Sequence, residues 1–256
     1  ICKKSAGFSK MKKLAIRYFL EFLVIVVGIS FSFWIDEWNR NRIEKIKHIK
    51  DIESILDDLD NDSLMGSNVY NSLKNGDVKT KNMLSLIELK NDKKISYKAY
   101  TDSIINLGFL YTYQTFFMTD ATYKSLISNG RINLFPQNIH SEMNNYYEAT
   151  SKRIFDNNHI VDNIALKYYN EYHPFSMLFI NENNDYTISD YDESSLRKFN
   201  DFFKNQEIKR KYQSIDFYIN TYNLRNRILV YSRQIANLRK ERNSLSESIK
   251  SYLETL

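Results

Sequence analysis

The sequence predicts a mainly α-helical protein: one N-terminal transmembrane helix followed by a helical bundle with long, coiled-coil-like helices. Only two prolines and six glycines occur in 256 residues, which leaves little material for strand turns and much for long uninterrupted helices. Apolar residues recur every three or four positions along most of the chain, as on the buried face of a helix. We expect a basic cytoplasmic tail (1–13), a transmembrane helix (14–35) and an extracytoplasmic helical domain (36–256).

The predicted span runs from Leu14 to Ile35, and as a helix it would reach about 33 Å, close to the thickness of a bilayer hydrocarbon core. Trp34 and Trp38 are the only tryptophans, and they lie at its C-terminal end, where indoles favour the membrane interface. The alternatives are a cleaved signal peptide, with a poor cleavage site around Ser32, and a buried core helix. The helical pattern continues past the apolar run without a break, which favours an uncleaved anchor.

Positive charge is concentrated before the span. Six cations precede Glu21, the first acid, and the positive-inside bias then places the N-terminus in the cytoplasm and the domain in the periplasm of a bacterial inner membrane. Four cations between Arg40 and Lys47 oppose this orientation. The remaining charges are nearly balanced, so the net charge of +5 does not indicate a nucleic-acid partner. Cys2 is the only cysteine, which excludes a disulfide within the chain.

Three residues of the span are candidates for helix packing or partner contact: Glu21, Gly28 and Ser32. Glu21 lies one turn from Arg17, so an ion pair at the headgroup edge is the favoured interpretation, with partner-helix contact and ion handling as alternatives. Gly28 and Ser32 form a small-xxx-small pair that would let a second span approach closely.

The residues Glu21 to Ile29, followed by Ile35 and Trp38-Asn39, resemble the N-terminal signature of a Bacteroidota family of single-pass membrane proteins of unknown function, the DUF6090-like proteins. Tyr123-Lys124-Ser125-Leu126, Ser128-Asn129-Gly130 and Tyr146-Tyr147 are similar to the family's central region. The resemblance implies an uncleaved anchor, a helical domain outside the membrane and no assigned activity.

Most of the remaining chain is predicted to be helical. The segment Ile43 to Leu59 is amphipathic and should continue from the span to a turn at Asn75-Gly76-Asp77. The other expected elements are a helix from Val78 to Leu89, a short helix capped by Thr119, an extended connector from Arg131 to Phe135, a long helix from Gln137 to Tyr172, and a loop or small hairpin from Phe175 to Ser195.

The last helix is expected to start no later than Ile208 and to run to the C-terminus. Its apolar residues alternate at spacings of four and three, which is typical of a coiled-coil seam that Arg242 interrupts. The seam residues are Leu224, Ile228, Tyr231, Ile235, Leu238, Leu245, Ile249 and Tyr252. Such a seam packs against another long helix, either Ile43 to Leu59 of the same chain or the same helix of a second copy.

Patterns that carry chemistry are weak. The four histidines are scattered, no phosphate-binding glycine loop or nucleophile motif occurs, and the acids Asp57, Asp58 and Asp60 are best interpreted as a solvated helix face. We therefore expect no cofactor, no metal and no enzymatic activity. The nineteen tyrosines fit a helical core better than a stacking surface for bases or sugars.

These observations favour an interaction or scaffold protein, or an accessory subunit of a cell-envelope membrane complex. Its expected partners are the lipid bilayer and other membrane subunits or a second copy. The alternative is an extracytoplasmic ligand-binding module that resembles a sensor domain. A buried polar pocket between the Gln137 to Tyr172 helix and its neighbours would favour the binding module, whereas an exposed apolar stripe on the last helix would favour the scaffold.

Overall fold

The computed structural model describes residues 5–111, 114–172 and 193–256, and every regular element within these ranges is helical. This confirms the mainly α class. The elements are α1 (Ser5–Asn91), α2 (Tyr97–Leu107), α3 (Ala121–Ser128), a 3-10 helix (Arg131–Leu134), α4 (Gln137–Asn144), a π-helical turn (Asn145–Thr150), α5 (Ser151–Tyr172), α6 (Glu193–Lys204), α7 (Gln206–Lys211) and α8 (Ile215–Leu253).

Contacts divide the chain into two units, Ile1–Glu53 and Ser54–Leu256. In the first unit, residues 5–53 belong to α1, and the apolar side chains from Tyr18 to Ile35 are exposed. One helix near the N-terminus is therefore long and apolar enough to cross a membrane. Because its apolar window is not buried in the protein, the interpretation as a buried core helix loses its support.

The predicted turn at Asn75-Gly76-Asp77 is wrong, because α1 continues through it to Asn91. Gly76 has a packing role instead. A Cβ atom at this position would lie 3.3 Å from the Leu110 carbonyl oxygen and 3.4 Å from Ile228 Cδ1. The glycine therefore lets the segment after α2 and helix α8 approach the α1 backbone closely.

Helix α8 runs antiparallel to α1 and to α5, since residue numbers rise along each partner as they fall along α8. The contacts with α1 join Arg242 to Ser63, Arg225 to Asp77 and Tyr218 to Glu88. The contacts with α5 and the π-helical turn join Thr150 to Glu241, Tyr168 to Thr221 and Tyr172 to Asn220. The observed partners of α8 thus include α5 and the later part of α1, beyond the expected Ile43 to Leu59.

The part of α1 that belongs to the second unit buries a continuous stripe of side chains. Its positions alternate at spacings of four and three, as the positions of α8 do, so the two helices can pack along their length. The buried stripe consists of Ile55, Leu59, Asp62, Gly66, Val69, Leu73, Gly76, Thr80, Met83 and Ile87. Burying each large apolar side chain contributes about 1.5–3 kcal/mol to folding.

The expected long helix from Gln137 to Tyr172 forms, but a π-helical turn at Asn145–Thr150 interrupts its α geometry. A π turn holds one residue more than an α turn, so it shifts the buried face by one position. As a result the adjacent side chains of Tyr146 and Tyr147 are both buried, with their rings 5.0 Å apart edge to face.

Three further expectations need correction. Arg131–Leu134 forms a 3-10 helix rather than an extended connector, because Gly130 at its N-cap adopts a left-handed conformation and the Ile132 side chain is buried in the core. The last helix does not start by Ile208; α7 ends at Lys211, and Ser214 caps a new helix by accepting the Phe217 amide.

Thr119 does not cap α3, because Asp120 occupies the N-cap position. The expected loop or hairpin from Phe175 to Ser195 lies outside the described residues up to position 192, and α6 begins at Glu193.

Candidate functional site

The residues proposed for the membrane segment are all exposed on α1. Arg17 Nε lies 3.0 Å from the Glu21 carboxylate, so the favoured ion pair is present. Among the described residues, no side chain lies within 4 Å of a Cβ built on Gly28, and Ser32 is exposed one turn later. Trp34 and Trp38 are exposed as well. These residues are therefore available to lipid or to another span.

The proposed seam of α8 lies inside the second unit. Seven of its residues are buried: Leu224, Ile228, Tyr231, Ile235, Leu238, Leu245 and Ile249. Tyr252 is half-buried near α8's end. Arg242, which interrupts the apolar pattern, donates to the Ser63 hydroxyl at 2.8 Å and lies 3.6 Å from the Asp60 carboxylate. The seam is thus occupied within the chain.

A groove of about 560 Å³ lies between α5 and the first half of α8. We call it the α5–α8 groove. It is lined by one face of each helix, with positions three or four residues apart, as helical periodicity requires. The lining residues are Ile164, Lys167, Tyr168, Glu171 and Tyr172 from α5, and Asn220, Asn223, Asn226, Arg227, Leu229, Val230 and Arg233 from α8.

The floor of the groove is held in place by hydrogen bonds between its walls. The buried Tyr168 hydroxyl and Thr221 hydroxyl lie 3.1 Å apart, and Asn220 Nδ2 donates to the Tyr172 hydroxyl at 2.8 Å. Burial raises the pKa of Tyr168, so its hydroxyl stays protonated at neutral pH. The groove therefore has a fixed aromatic and amide floor beneath an exposed charged rim.

A second depression of about 710 Å³ lies among α2, α6 and α7. Its cations already have partners: Lys98 pairs with Asp102, Lys204 pairs with Asp201, and Lys209 lies over the ring of Tyr97. These contacts leave little free positive charge, so we consider the α5–α8 groove the stronger candidate for ligand binding.

A buried polar cluster lies where α1, α3 and the π-helical turn meet. The Asp62 carboxylate, 2% exposed, accepts the Thr119 amide and the Tyr146 hydroxyl, each at 2.8 Å. Burial raises the pKa of Asp62, and the two hydrogen bonds oppose that shift. Nearby, the rings of Tyr123 and Tyr147 stack at 4.5 Å. Because protein groups satisfy the carboxylate, a structural role explains this cluster.

Clusters of metal-ligating side chains are the one type of chemical site that the described ranges test directly. No group of three or more histidine, cysteine or acidic side chains there has metal-site geometry. Of the acids expected to form a solvated face, Asp57 and Asp60 are exposed, whereas Asp58 accepts the Thr122 amide at 3.3 Å.

Sequence reasoning did not single out the groove residues or Asp62. The signal for Asp62 was its spacing: it follows Ile55 and Leu59 on the same helical face, where an acid must be buried. The signal for the groove was weaker, namely asparagines at positions 220, 223 and 226 on the face beside the apolar seam.

Comparisons with protein-family models, with curated proteins and with solved structures found no match to this chain.

Proposed function

We propose that this chain is a single-pass bacterial inner-membrane protein whose periplasmic helical domain is a ligand-binding module. The observation that carries the proposal is the α5–α8 groove, which is open rather than buried and brings amide and charged groups together over an aromatic floor between two long helices. Ligand pockets of several hundred Å³ with an apolar floor and a few convergent polar groups are typical of small-molecule sites.

The membrane anchor in this proposal is supported by the exposed apolar face of α1 and by the basic cluster that precedes it. A helix with this much exposed apolar surface would aggregate in water, so lipid is its expected surroundings. Assignment to the DUF6090-like proteins stays a prediction from the residues quoted above.

Anchoring and orientation have a direct test, because Cys2 is the only cysteine. Alkaline carbonate should leave the protein in the membrane pellet. A maleimide that cannot cross membranes should label Asn243→Cys, an exposed position on α8, in a Cys2→Ser background in intact spheroplasts. Cys2 in the natural sequence should react only after lysis. Labelling of Cys2 before lysis, or a mature chain that starts after Ser32, would refute this topology.

For the fold, we infer a helical bundle in which α8 packs antiparallel between α1 and α5 with coiled-coil-like contacts. The buried stripes at spacings of three and four and the contacts from Arg242 to Ser63 and from Tyr218 to Glu88 support it. In such a bundle the groove is a gap on the outer side of one helix pair.

Ligand binding is tested with the full chain in detergent micelles. Thermal unfolding is measured with a panel of small sugars, amino acids, organic acids and phosphates. At least one compound should raise the midpoint for the natural protein and not for Asn223→Trp, in which an indole replaces an exposed groove amide. Ser244→Trp, exposed on the same helix outside the groove, is the control. If no compound distinguishes the natural protein from Asn223→Trp, the binding-module proposal fails.

One observation favours the scaffold as a second candidate. Ile215, Ile219 and Tyr222 are exposed one turn apart at the start of α8, with Ile215 at 69%. They form the kind of short apolar stripe that docks a partner. A photo-crosslinking residue at Ile219 should then trap one defined membrane subunit or a second copy, whereas the same residue at Lys240 should not. Equal yields at both positions would exclude this docking surface.

A further inference from the structure

We propose that the α5–α8 groove binds an oxyanion, the phosphate or carboxylate of a small ligand, through Lys167 and Arg227, and that Arg233 contacts a second group of the same ligand. The inference rests on the proposed function, because it assigns a ligand class to the same groove.

The lining carries an excess of positive charge. Lys167, Arg227 and Arg233 face the groove, against the single carboxylate of Glu171. Three positive charges against one negative charge leave the lining with a surplus of two positive charges. Among the residues that the structure describes, no ion pair joins any of the three cations to an acid. Unneutralised cations that converge on a concave surface attract an anion.

Helix register brings two of the cations together. The α5–α8 contacts pair Tyr168 with Thr221 and Tyr172 with Asn220, so in an antiparallel arrangement Lys167 lies about level with Asn223. Arg227 follows Asn223 by one helical turn on the same face of α8. The ammonium group, the amide and the guanidinium thus border the middle of the groove, where an oxyanion would receive hydrogen bonds from both helices.

The donor chemistry suits an oxyanion. A guanidinium presents parallel N–H groups that match two oxygens of a phosphate or carboxylate, and a lysine adds a point charge. The side chains of Asn223 and Asn226 are exposed and form no hydrogen bond with any other described residue, so their amides can donate to a ligand as well. This set supplies more donors than a neutral ligand with few acceptors would use.

Arg233 supplies a second cationic position in the groove. It lies six residues beyond Arg227, which corresponds to about 9 Å along the helix axis. The two guanidinium groups therefore provide two cationic positions along the same wall of the groove. We therefore infer that the second cation contacts another acidic or polar group, and that Val230 and Leu229 contact the apolar body between them.

The experiment uses the full chain in detergent micelles and isothermal titration with glycerol 3-phosphate, inorganic phosphate and glycerol. Glycerol 3-phosphate should bind and glycerol should not. Arg227→Ala and Lys167→Ala should each weaken binding by about 10- to 100-fold, the usual effect of losing a charge-assisted hydrogen bond. Arg210→Ala, which removes an exposed cation outside the groove, is the matched control and should leave affinity unchanged.

A separate arm identifies the source of the anion. Binding to phosphatidylglycerol vesicles but not to phosphatidylcholine vesicles, lost in Arg227→Ala, would assign the oxyanion to a lipid headgroup, whereas binding of the soluble phosphate would assign it to a free metabolite. If a neutral compound binds in a manner that Asn223→Trp abolishes while no phosphate or carboxylate does, the oxyanion inference is overturned and the binding module survives. If Arg210→Ala weakens binding as much as Arg227→Ala, non-specific charge explains the signal and the inference is overturned.

Discussion

Asp62 provides the sharpest test of the energetics of this fold. Its carboxylate is 2% exposed and accepts two hydrogen bonds of 2.8 Å, from the Thr119 amide and the Tyr146 hydroxyl. Asp62→Ala would leave both donors without an acceptor, at a cost of about 1–3 kcal/mol each. Relief of the buried charge offsets part of that cost, so we expect a net loss of about 2 kcal/mol. For a domain of this size the melting temperature should fall by about 4–8 °C.

Asp62→Asn separates the hydrogen bonds from the charge. Its amide oxygen can still accept the Thr119 amide, and its nitrogen can donate to the Tyr146 hydroxyl, so the contacts survive without an ion to desolvate. Since burial raises the pKa of Asp62, the natural protein gains stability from this group below its ordinary pKa of 3.8 and loses it as pH rises through the raised value. The stability of Asp62→Asn relative to the natural protein should therefore increase with pH across that window and then stay constant.

The assay is thermal unfolding followed by circular dichroism, with full-length protein in detergent at several pH values between acidic and neutral. Other titrating groups are shared by the natural protein and the variant, so their effects cancel in the difference. A difference that is independent of pH, or that favours Asp62→Asn more in acid than at neutrality, would refute the assignment of a raised pKa. An Asp62→Ala variant as stable as the natural protein would refute the role of the two hydrogen bonds.

Two paired substitutions test neighbouring packing. Tyr146→Phe removes a hydrogen bond to a buried carboxylate and should lower the free energy of unfolding by about 1–2 kcal/mol. The buried hydroxyl of Tyr147 has no partner among the described residues, so Tyr147→Phe should change the free energy of unfolding by less than about 0.5 kcal/mol. Equal losses of stability in thermal melts would contradict this difference. Gly66→Ala should stabilise α1 by up to about 1 kcal/mol through helix propensity, because its Cβ would meet neighbours at ordinary distances of 3.7 and 3.8 Å. Gly76→Ala should not be stabilising, because its Cβ would lie only 3.3 Å from the Leu110 carbonyl oxygen and this close contact would cancel the gain in helix propensity. If Gly76→Ala were as stable as Gly66→Ala, the segment around Leu110 would have to move to make room.

Periodicity predicted the helices better than local turn signals predicted their ends. The apolar residues from Leu224 to Ile249 identified a buried face because spacing alone determines which side chains share a side of a helix. On α1 the apolar pattern predicts a buried stripe only as far as Leu59. The stripe continues beyond this point, but Asp62 and Gly66 interrupt its apolar character although both are buried.

The misread positions share one physical cause: tertiary contacts outweigh local preference. Asn75-Gly76 has the composition of a turn, yet α8 packs against the bare backbone of Gly76 and keeps the helix continuous. The break between α7 and α8 depends on Ser214, a capping residue that the apolar periodicity around it obscured. The groove, finally, requires the register between two helices distant in sequence, which no local pattern contains.

The π-helical turn at Asn145–Thr150 also affects which changes in chain length this helix can accept. An insertion or deletion inside a regular helix rotates everything beyond it by about 100° and would pull a buried face out of the core. Here the surplus residue is already accommodated, so removing the exposed Ala149 would restore ordinary α geometry while leaving α4 and α5 each facing the interior. The main structural change would fall on Tyr146 and Tyr147, because only one of the two rings could remain buried. Natural variation in length along this helix is therefore expected at this turn before any other position.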